Sequence, residues 1–384
     1  MGTLNIGLVG YKFMGKAHSH AFRDVSMFFD LPVKPVMKVL CGRDEKSVAE
    51  SARKFGWEEY VTSWEELVQR DDIDLIDITA PSNVHKEIVL AAAQNGKHIF
   101  CEKPLALTLE DAEQMLQAVT EAGVKHMIGF NYRRVPAIML IKQMIDSGKL
   151  GQIYHFRGTY LQDYVIDPSF PLVWRLRKEI AGSGSLGDLG AHTIDLARWL
   201  VGDFHEVIGM SETFIKERPL PTEMTGLSAK SSLDAEMGTV TVDDATAFLA
   251  RFKNGALGTF EATRFAAGHR NMNFFEINGS LGSVRFDFER MNEMEYYSTE
   301  DAEGYQGFRR IQTTEAVHPY MQAWWPAGHI IGYEHTFIHE MKDFIESIVE
   351  DRLPEPNFRD GVECQRVLHA VEKSIDNRTW VQID

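Results

Sequence analysis

Over its first 130 residues the chain alternates short apolar runs with amphipathic stretches, and this restricts the fold more than any other feature. Residues 4–9 (Leu-Asn-Ile-Gly-Leu-Val) form a compact apolar run closed by Gly10, suited to a strand buried on both faces. A helical stretch follows through residue 29. Strands are then expected at 36–41, 75–78, 99–101 and 125–129, with helices at 46–55, 83–95 and 111–122 between them. Strand–helix alternation at this spacing predicts right-handed crossovers and a mostly parallel sheet. No internal repeat interrupts it.

The strand at 99–101 ends abruptly in Glu102, Lys103 and Pro104. Proline offers no amide hydrogen to a sheet ladder, so the strand stops there and presents the charged pair at its carboxyl end. Ligands of open parallel sheets bind at that edge, which makes Lys103 a candidate for the reaction centre. The turn after the first strand, Gly10-Tyr11-Lys12-Phe13-Met14-Gly15, stands where a dinucleotide fingerprint belongs. Gly10 and Gly15 occupy its first and third glycine positions, while Lys12 replaces the middle one. Lys12 either follows a tight turn or brings positive charge near a phosphate. After the second strand come Cys41, Gly42 and Arg43, with no acid at the usual ribose-binding position. Arg43 pairs with the extra phosphate of NADP, lies against adenine, or is a solvated arginine; NAD and NADP both stay open.

From residue 74 to 104 the chain reads Asp-Leu-Ile-Asp-Ile-Thr-Ala-Pro-Ser-Asn-Val-His, then Ala-Ala-Gln-Asn-Gly-Lys-His-Ile-Phe-Cys-Glu-Lys-Pro. The Thr79-Ala80-Pro81 turn, His85, the Gly96-Lys97-His98 step and Glu102-Lys103-Pro104 resemble, in order, the Gfo/Idh/MocA oxidoreductase family. The likeness extends over nearly the whole chain and is strongest to the anhydrosugar- and inositol-type dehydrogenases of that family. It implies an α/β chain: a Rossmann domain at 1–131, then an α/β domain at 132–384 with a large, open, mostly antiparallel sheet. It implies that Lys103 touches both nicotinamide ribose and substrate. Thr79, Pro81, Ser82, His85, Glu102 and Asn131 join the glycine turn and residues 42–43 as candidate cofactor contacts. NAD is slightly favoured by the likeness. A homodimer or homotetramer assembled through the open sheet is implied as well.

A second strong signal lies at 182–196, where glycines and serines lead into Asp188, His192 and Asp195. Ser183 or Ser185 is suited to cap the helix expected there. Residues four apart share a helix face, so Asp188 and His192 are expected one turn above the other, with Asp195 beside them. A carboxylate next to an imidazole suits proton transfer near neutral pH. With Lys103, this pair is expected to line one catalytic cleft between the domains, Asp195 tuning His192 from behind. Tyr132, Gln162 and Arg175 are candidate substrate contacts beside Asp188 and His192, and His335 is another, on the helix opened by His329 and Tyr333. A metal would need further converging ligands, and none is expected. Residues 245–252, 256–262, 273–277 and 283–286 alternate apolar and polar, as in an antiparallel sheet covered on one face. Residues 216–241 lack a period and are expected to form a long excursion, mobile or at a subunit contact. Apolar stripes place one helix from 333 to 348 and a last one over 362–371.

At 384 residues two domains are the natural expectation. A formal net charge of −16 argues against a nucleic-acid backbone as partner. No run of about eighteen apolar residues points to a membrane, and residues 1–9 lack the layout of a signal peptide. Three scattered cysteines, Cys41, Cys101 and Cys364, fit a reduced cytoplasmic setting. The expected reaction is hydride transfer between nicotinamide and a sugar, anhydrosugar or inositol-type hydroxyl. Two alternatives are an NAD-dependent glycosidase that oxidises its sugar transiently and a non-catalytic dinucleotide or sugar sensor.

Overall fold

The computed structural model describes residues 2–225, 228–232 and 234–383. In chain order the first third gives β1 (Thr3–Val9), α1 (Phe13–Phe28), β2 (Lys34–Cys41), α2 (Glu45–Phe55), β3 (Glu59–Val61), α3 (Trp64–Val68), β4 (Leu75–Ile78), α4 (His85–Gln94), β5 (His98–Cys101), α5 (Leu109–Ala122) and β6 (His126–Ile128). The strands form one parallel sheet in the order β3-β2-β1-β4-β5-β6. That order reverses direction at β1, between β2 and β4, the switch point of a Rossmann sheet. Local chemistry sets the helix ends. Asp44 caps α2 by accepting from Ser47 N at 2.8 Å, and Thr108 caps α5 by accepting from Asp111 N at 3.1 Å. β3 and α3 escape a periodicity reading because each is too short to show a period.

The chain continues through α6 (Pro136–Asp146), β7 (Ile153–Leu161), α7 (Lys178–Ala181), a π turn at Leu186–Gly190, and α8 (Ala191–Val201). Then follow β8 (Phe204–Glu212), β9 (Glu217–Pro219), β10 (Glu223–Thr225), β11 (Ser228–Lys230), β12 (Met237–Thr239), β13 (Ala245–Phe252), β14 (Leu257–Thr263), β15 (Met272–Gly279), β16 (Gly282–Asp287), β17 (Glu293–Ser298) and β18 (Arg309–Gln312). α9 (Tyr333–Val349), α10 (Phe358–Asn377) and β19 (Val381–Gln382) complete it. A large mixed sheet runs β18-β17-β16-β15-β7-β14-β13-β8-β19, antiparallel throughout except for the parallel β7–β14 pair. One face buries Phe156, Phe260, Phe248, Phe275 and Phe286, stacked or tilted against one another.

Two compact units result, one of residues 1–131 with 332–365, the other of 132–331 with 366–384. The segment 332–365, placed by sequence in the second domain, therefore packs with the first: α9 lies along α1, and His126 meets Phe358 with ring centroids 4.9 Å apart. Its apolar stripe predicts a helix but not which core receives it. The expected excursion at 216–241 stands apart from the large sheet and, where it is described, carries short ladders of its own. β9 pairs with β12 and β10 with β11, ladders of three residues that leave no visible period. Arg218 on β9 is fully buried and donates to the carbonyls of Val165, Asp167 and Phe170. Gly226, Leu227 and Leu233 of this stretch lie outside the described residues.

Candidate active site

In the first unit the expected cofactor residues gather at the carboxyl edge of the parallel sheet. Gly10 takes a φ of +109°, and a Cβ there would come within 2.7 Å of Thr79 Oγ1. A Cβ on Gly15 would come within 2.0 Å of Gly10 O. Thr79 Oγ1 donates to the carbonyls of Val9 and Gly10, tying the ends of β1 and β4 together. The first turn of α1 holds no acid. Its N-terminal amides and positive dipole end fit a pyrophosphate. Lys12, in the place of the middle glycine, is exposed, with its Nζ 5.5 Å from the Tyr11 ring centroid. Tyr11 itself explains Gly42, where a Cβ would come within 2.1 Å of that ring. Arg43 is exposed, and the following acid, Asp44, is committed to capping α2. Phe13 is exposed and stacks with Tyr333 at 6.3 Å; Met14 and Pro81 are half-buried and Ser82 is buried.

Other expected contacts turn inward. His85 is 1% exposed, with Nε2 2.9 Å from Ala80 O and Nδ1 3.2 Å from Leu105 O. Burial pushes its pKa down against the pull of these two carbonyls, between which the ring is set. Glu102 is likewise buried: Oε1 faces His18 Nε2 at 3.1 Å, and Oε2 accepts from Lys103 N at 3.1 Å. His18 Nδ1 in turn lies 2.8 Å from Asp77 Oδ2. Burial alone would lower the His18 pKa, but the charge and hydrogen bond of Asp77, joined by Glu102, outweigh it and raise it to about 10. Asp77 is held upward by burial against the pull of His18. Sequence reasoning passed over this trio, although Asp77 in the middle of an apolar strand was a usable signal, because a buried carboxylate needs a partner. Lys103 is half-buried at the end of β5. Asn131 is buried and donates from Nδ2 to Thr336 Oγ1 at 2.9 Å. His335 accepts from Gly332 N and lies near Glu334, His20 and Asp24; burial lowers its pKa.

In the second unit Asp188 lies in the π turn, so its alignment with His192 is not that of a regular α-helical pair. The expected serine cap is corrected too. Asp243 supplies the carboxylate, accepting from Gly184 N at 2.7 Å, Leu186 N at 2.9 Å and the hydroxyls of Ser185 and Thr246. A Cβ on Gly184 would come within 1.8 Å of Asp243 O, so that glycine is required by close approach. Arg264, 1% exposed just past β14, spans from Gly184 O at 2.9 Å to Asp188 Oδ2 at 3.1 Å. Burial works against the Arg264 charge, but Tyr164, Asp188, Asp243 and Asp244 hold it. Both oxygens of Asp195 accept from the buried Arg133 guanidinium, at 2.8 and 2.6 Å. That bidentate pair ties α8 to Arg133.

His192 is 6% exposed, and the Tyr132 ring lies over it with centroids 4.3 Å apart. From Tyr132 a polar chain runs through Tyr160 at 2.5 Å to Asn271, which accepts from the Tyr160 hydroxyl and from Gln162 Nε2, both at 2.7 Å. The structure thus joins the expected Tyr132, Gln162 and His192 and adds Tyr160 and Asn271. Tyr160 was hidden among the alternating residues of β7, and Asn271 gave no signal. Arg175 stands on Trp174, 4.3 Å from its ring centroid, and its charge reaches Tyr164 together with those of Arg264 and Asp188.

Comparison with known proteins agrees with this geometry. Residues 4–130 match a family model described as oxidoreductase family, NAD-binding Rossmann fold, and residues 138–285 match the GFO/IDH/MocA C-terminal domain. Levoglucosan dehydrogenase of Pseudarthrobacter phenanthrenivorans is 44% identical over 388 residues, covering 100% of this chain and 99% of its own. Myo-inositol 2-dehydrogenase of Thermotoga maritima is 25% identical, covering 99% of both. Among solved structures, an oxidoreductase domain protein from Kribbella flavida superposes with a TM-score of 0.95 at 52% identity over 100% of both chains. A levoglucosan dehydrogenase in complex with NADH and levoglucosan gives a TM-score of 0.94 at 43% identity, covering 100% of this chain and 99% of that one. With both halves of the chain matched in this way, it belongs to the Gfo/Idh/MocA oxidoreductase family.

Proposed function

We propose that this chain is a nicotinamide-dependent dehydrogenase of a sugar-like hydroxyl, with an anhydrosugar such as levoglucosan as the favoured substrate and NAD as the favoured cofactor. The observation that carries this reading is the second unit's constellation. A largely buried imidazole, His192, is fixed under Tyr132, one turn from a carboxylate, Asp188, that a buried arginine holds. His192 takes the proton of the reacting hydroxyl, while the hydride leaves the same carbon. The ammonium of Lys103 donates to the reacting oxygen and stabilises the negative charge that builds there. Asp188 orients the sugar, with Gln162, Asn271 and Tyr160 supplying further hydrogen bonds to its hydroxyls. The nicotinamide, when bound, supplies the hydride acceptor. Gly10, Gly15 and the open end of α1 would hold its pyrophosphate, with Tyr11 and Arg43 beside the adenosine half.

The test is Lys103→Met. Turnover of levoglucosan with NAD is expected to fall by about two to four orders of magnitude, with NADH binding retained. Near-normal turnover would remove Lys103 from the mechanism. A parallel panel of anhydrosugars, inositols and aldoses against NAD and NADP decides the substrate and cofactor. Hydrolysis of a nitrophenyl glycoside without net cofactor reduction would instead favour the glycosidase alternative. The same reading carries a cytoplasmic homodimer or homotetramer, for which the outward face of the large sheet, with Met210, Leu249 and Leu257 exposed, supplies apolar surface.

A further inference from the structure

We propose that His18 is a positioning residue for Lys103: wedged between Asp77 and Glu102, it fixes the Glu102 side chain, which in turn holds the Lys103 backbone. The inference rests on the catalytic role proposed for Lys103. Its geometry is a short chain of contacts through the interior of the first unit. Asp77 on β4 takes His18 Nδ1 with both oxygens, at 3.0 and 2.8 Å. His18 on α1 passes the contact on through Nε2 to Glu102 Oε1 at 3.1 Å. The second Glu102 oxygen accepts the Lys103 amide. All three side chains are buried, His18 and Asp77 completely. The His18 ring is set edge-on to Phe100, with centroids 5.2 Å apart, and tilted against Phe337 at 5.5 Å. Gly129 on the far side leaves Glu102 its space, since a Cβ there would come within 2.9 Å of Oε1.

The charge count explains why the middle member must be a cation. Two carboxylates in one dry pocket cannot both stay ionised unless a positive group stands between them. With an uncharged residue at 18 that compensation is lost and the Glu102 Oε1 no longer has the imidazole to fix it. Glu102 can then reorient and release the Lys103 amide. The loosened turn then carries the Lys103 ammonium off the reacting oxygen, and small displacements at a catalytic group are costly. The chain of contacts ends on the Lys103 amide, so turnover is its primary readout.

The full-length protein is compared as wild type, Lys103→Met, His18→Gln and His18→Gln/Asp77→Asn, with levoglucosan and NAD, alongside NADH titration and thermal denaturation. His18→Gln is expected to lower kcat about ten- to a hundredfold while KM and NADH affinity move little. The double variant is expected to recover most of that loss, because a neutral amide at position 77 removes the carboxylate that repels Glu102 and leaves the amide at position 18 free to donate to it. Additive damage is what a merely structural histidine would show. Wild-type kcat in His18→Gln, or a double variant no better than the single one, overturns the proposal. If His18→Gln does not fold, Glu102→Gln is read in its place, and unchanged kcat there overturns it as well. An active Lys103→Met would instead defeat the underlying reading of Lys103, an outcome distinct from an inactive Lys103→Met beside a normal His18→Gln.

Discussion

Lys103 and His192 are held in opposite ways. Lys103 ends a strand, and its support lies directly below it as the trio Asp77, His18 and Glu102, in which the cation is a histidine. The turn that carries Asp188 and leads to His192 is held from elsewhere in the chain by Asp243 and Arg264, and α8 is tied to Arg133 through Asp195. There the cations are guanidiniums, which keep their charge at any pH the protein survives. One support is compact and titratable; the other is dispersed and permanently charged. A strand end needs only its own orientation fixed. The π turn, a rare local geometry often found at functional sites, is held by clamps from outside it.

The strongest way to break this comparison is to remove the groups being held. His192→Asn is expected to lower kcat about two to four orders of magnitude and leave NADH binding intact, matching Lys103→Met in size. If the two variants differed greatly in kcat, the residues would not serve the same chemical step. Next in size is Arg133→Met, which strands the buried Asp195 carboxylate and should cost about 3–5 kcal/mol of stability by thermal or urea denaturation. Arg133→Met with Asp195→Leu should regain most of that, because an apolar pair replaces the ion pair without leaving a lone charge. Failure to regain it would make the pair more than a structural tie.

Arg264→Met sharpens the comparison at a smaller scale. Asp188 is about a quarter exposed, its side chain at 28%, so losing Arg264 leaves it partly hydrated and spares the fold the full cost of a stranded charge. The expected loss is about tenfold in kcat/KM, the size of one hydrogen bond to a charged group. Arg264→Lys should recover part of it, since the charge returns without the second N–H that reaches Gly184. An unchanged kcat/KM in Arg264→Met would mean that Asp243 alone fixes the turn.

The same contrast explains what the sequence could disclose. Glu102-Lys103-Pro104 was legible because the strand, its end and its charged residues are contiguous, and a proline marks the boundary. The parallel sheet was legible because each strand is a short apolar run between turn residues. Asp188 and His192 were legible as a pair, but the π turn between them was not, since no residue type announces it. Arg264 and Asp243 reach the turn from 76 and 59 residues away, measured to Asp188 and Gly184, and such distances carry no local pattern. The position of α9 failed for a related reason, because an apolar stripe says that a helix packs but not against which core. Glu102 and His85 were read as cofactor contacts because the family pattern marks them. Both are buried, and the hydrogen bonds that tie Glu102 to His18 and His85 to the Leu105 carbonyl join elements distant in sequence, which no local pattern discloses.

Titration separates the two supports with the smallest expected effect. His18 holds its proton to about pH 10 in the folded chain, against 6.5 for an ordinary histidine. Its raised pKa therefore contributes stability that is fully present below about 6.5 and is lost as pH rises toward 10, by at most about 1.4 kcal/mol per pH unit. The groups facing it are Asp77 and Glu102, with the rings of Phe100 and Phe337 closing the pocket. Between pH 7 and 9 the wild-type melting temperature should fall more steeply than that of His18→Gln/Asp77→Asn, which has neither the imidazole nor the fully buried Asp77 carboxyl to hold a proton there. The arginine-held turn should contribute nothing to this slope, so Arg264→Met should keep the wild-type steepness. Parallel slopes in wild type and His18→Gln/Asp77→Asn would mean that the imidazolium is not shared between the carboxylates, and the distinction between a titratable and a permanent support would fall.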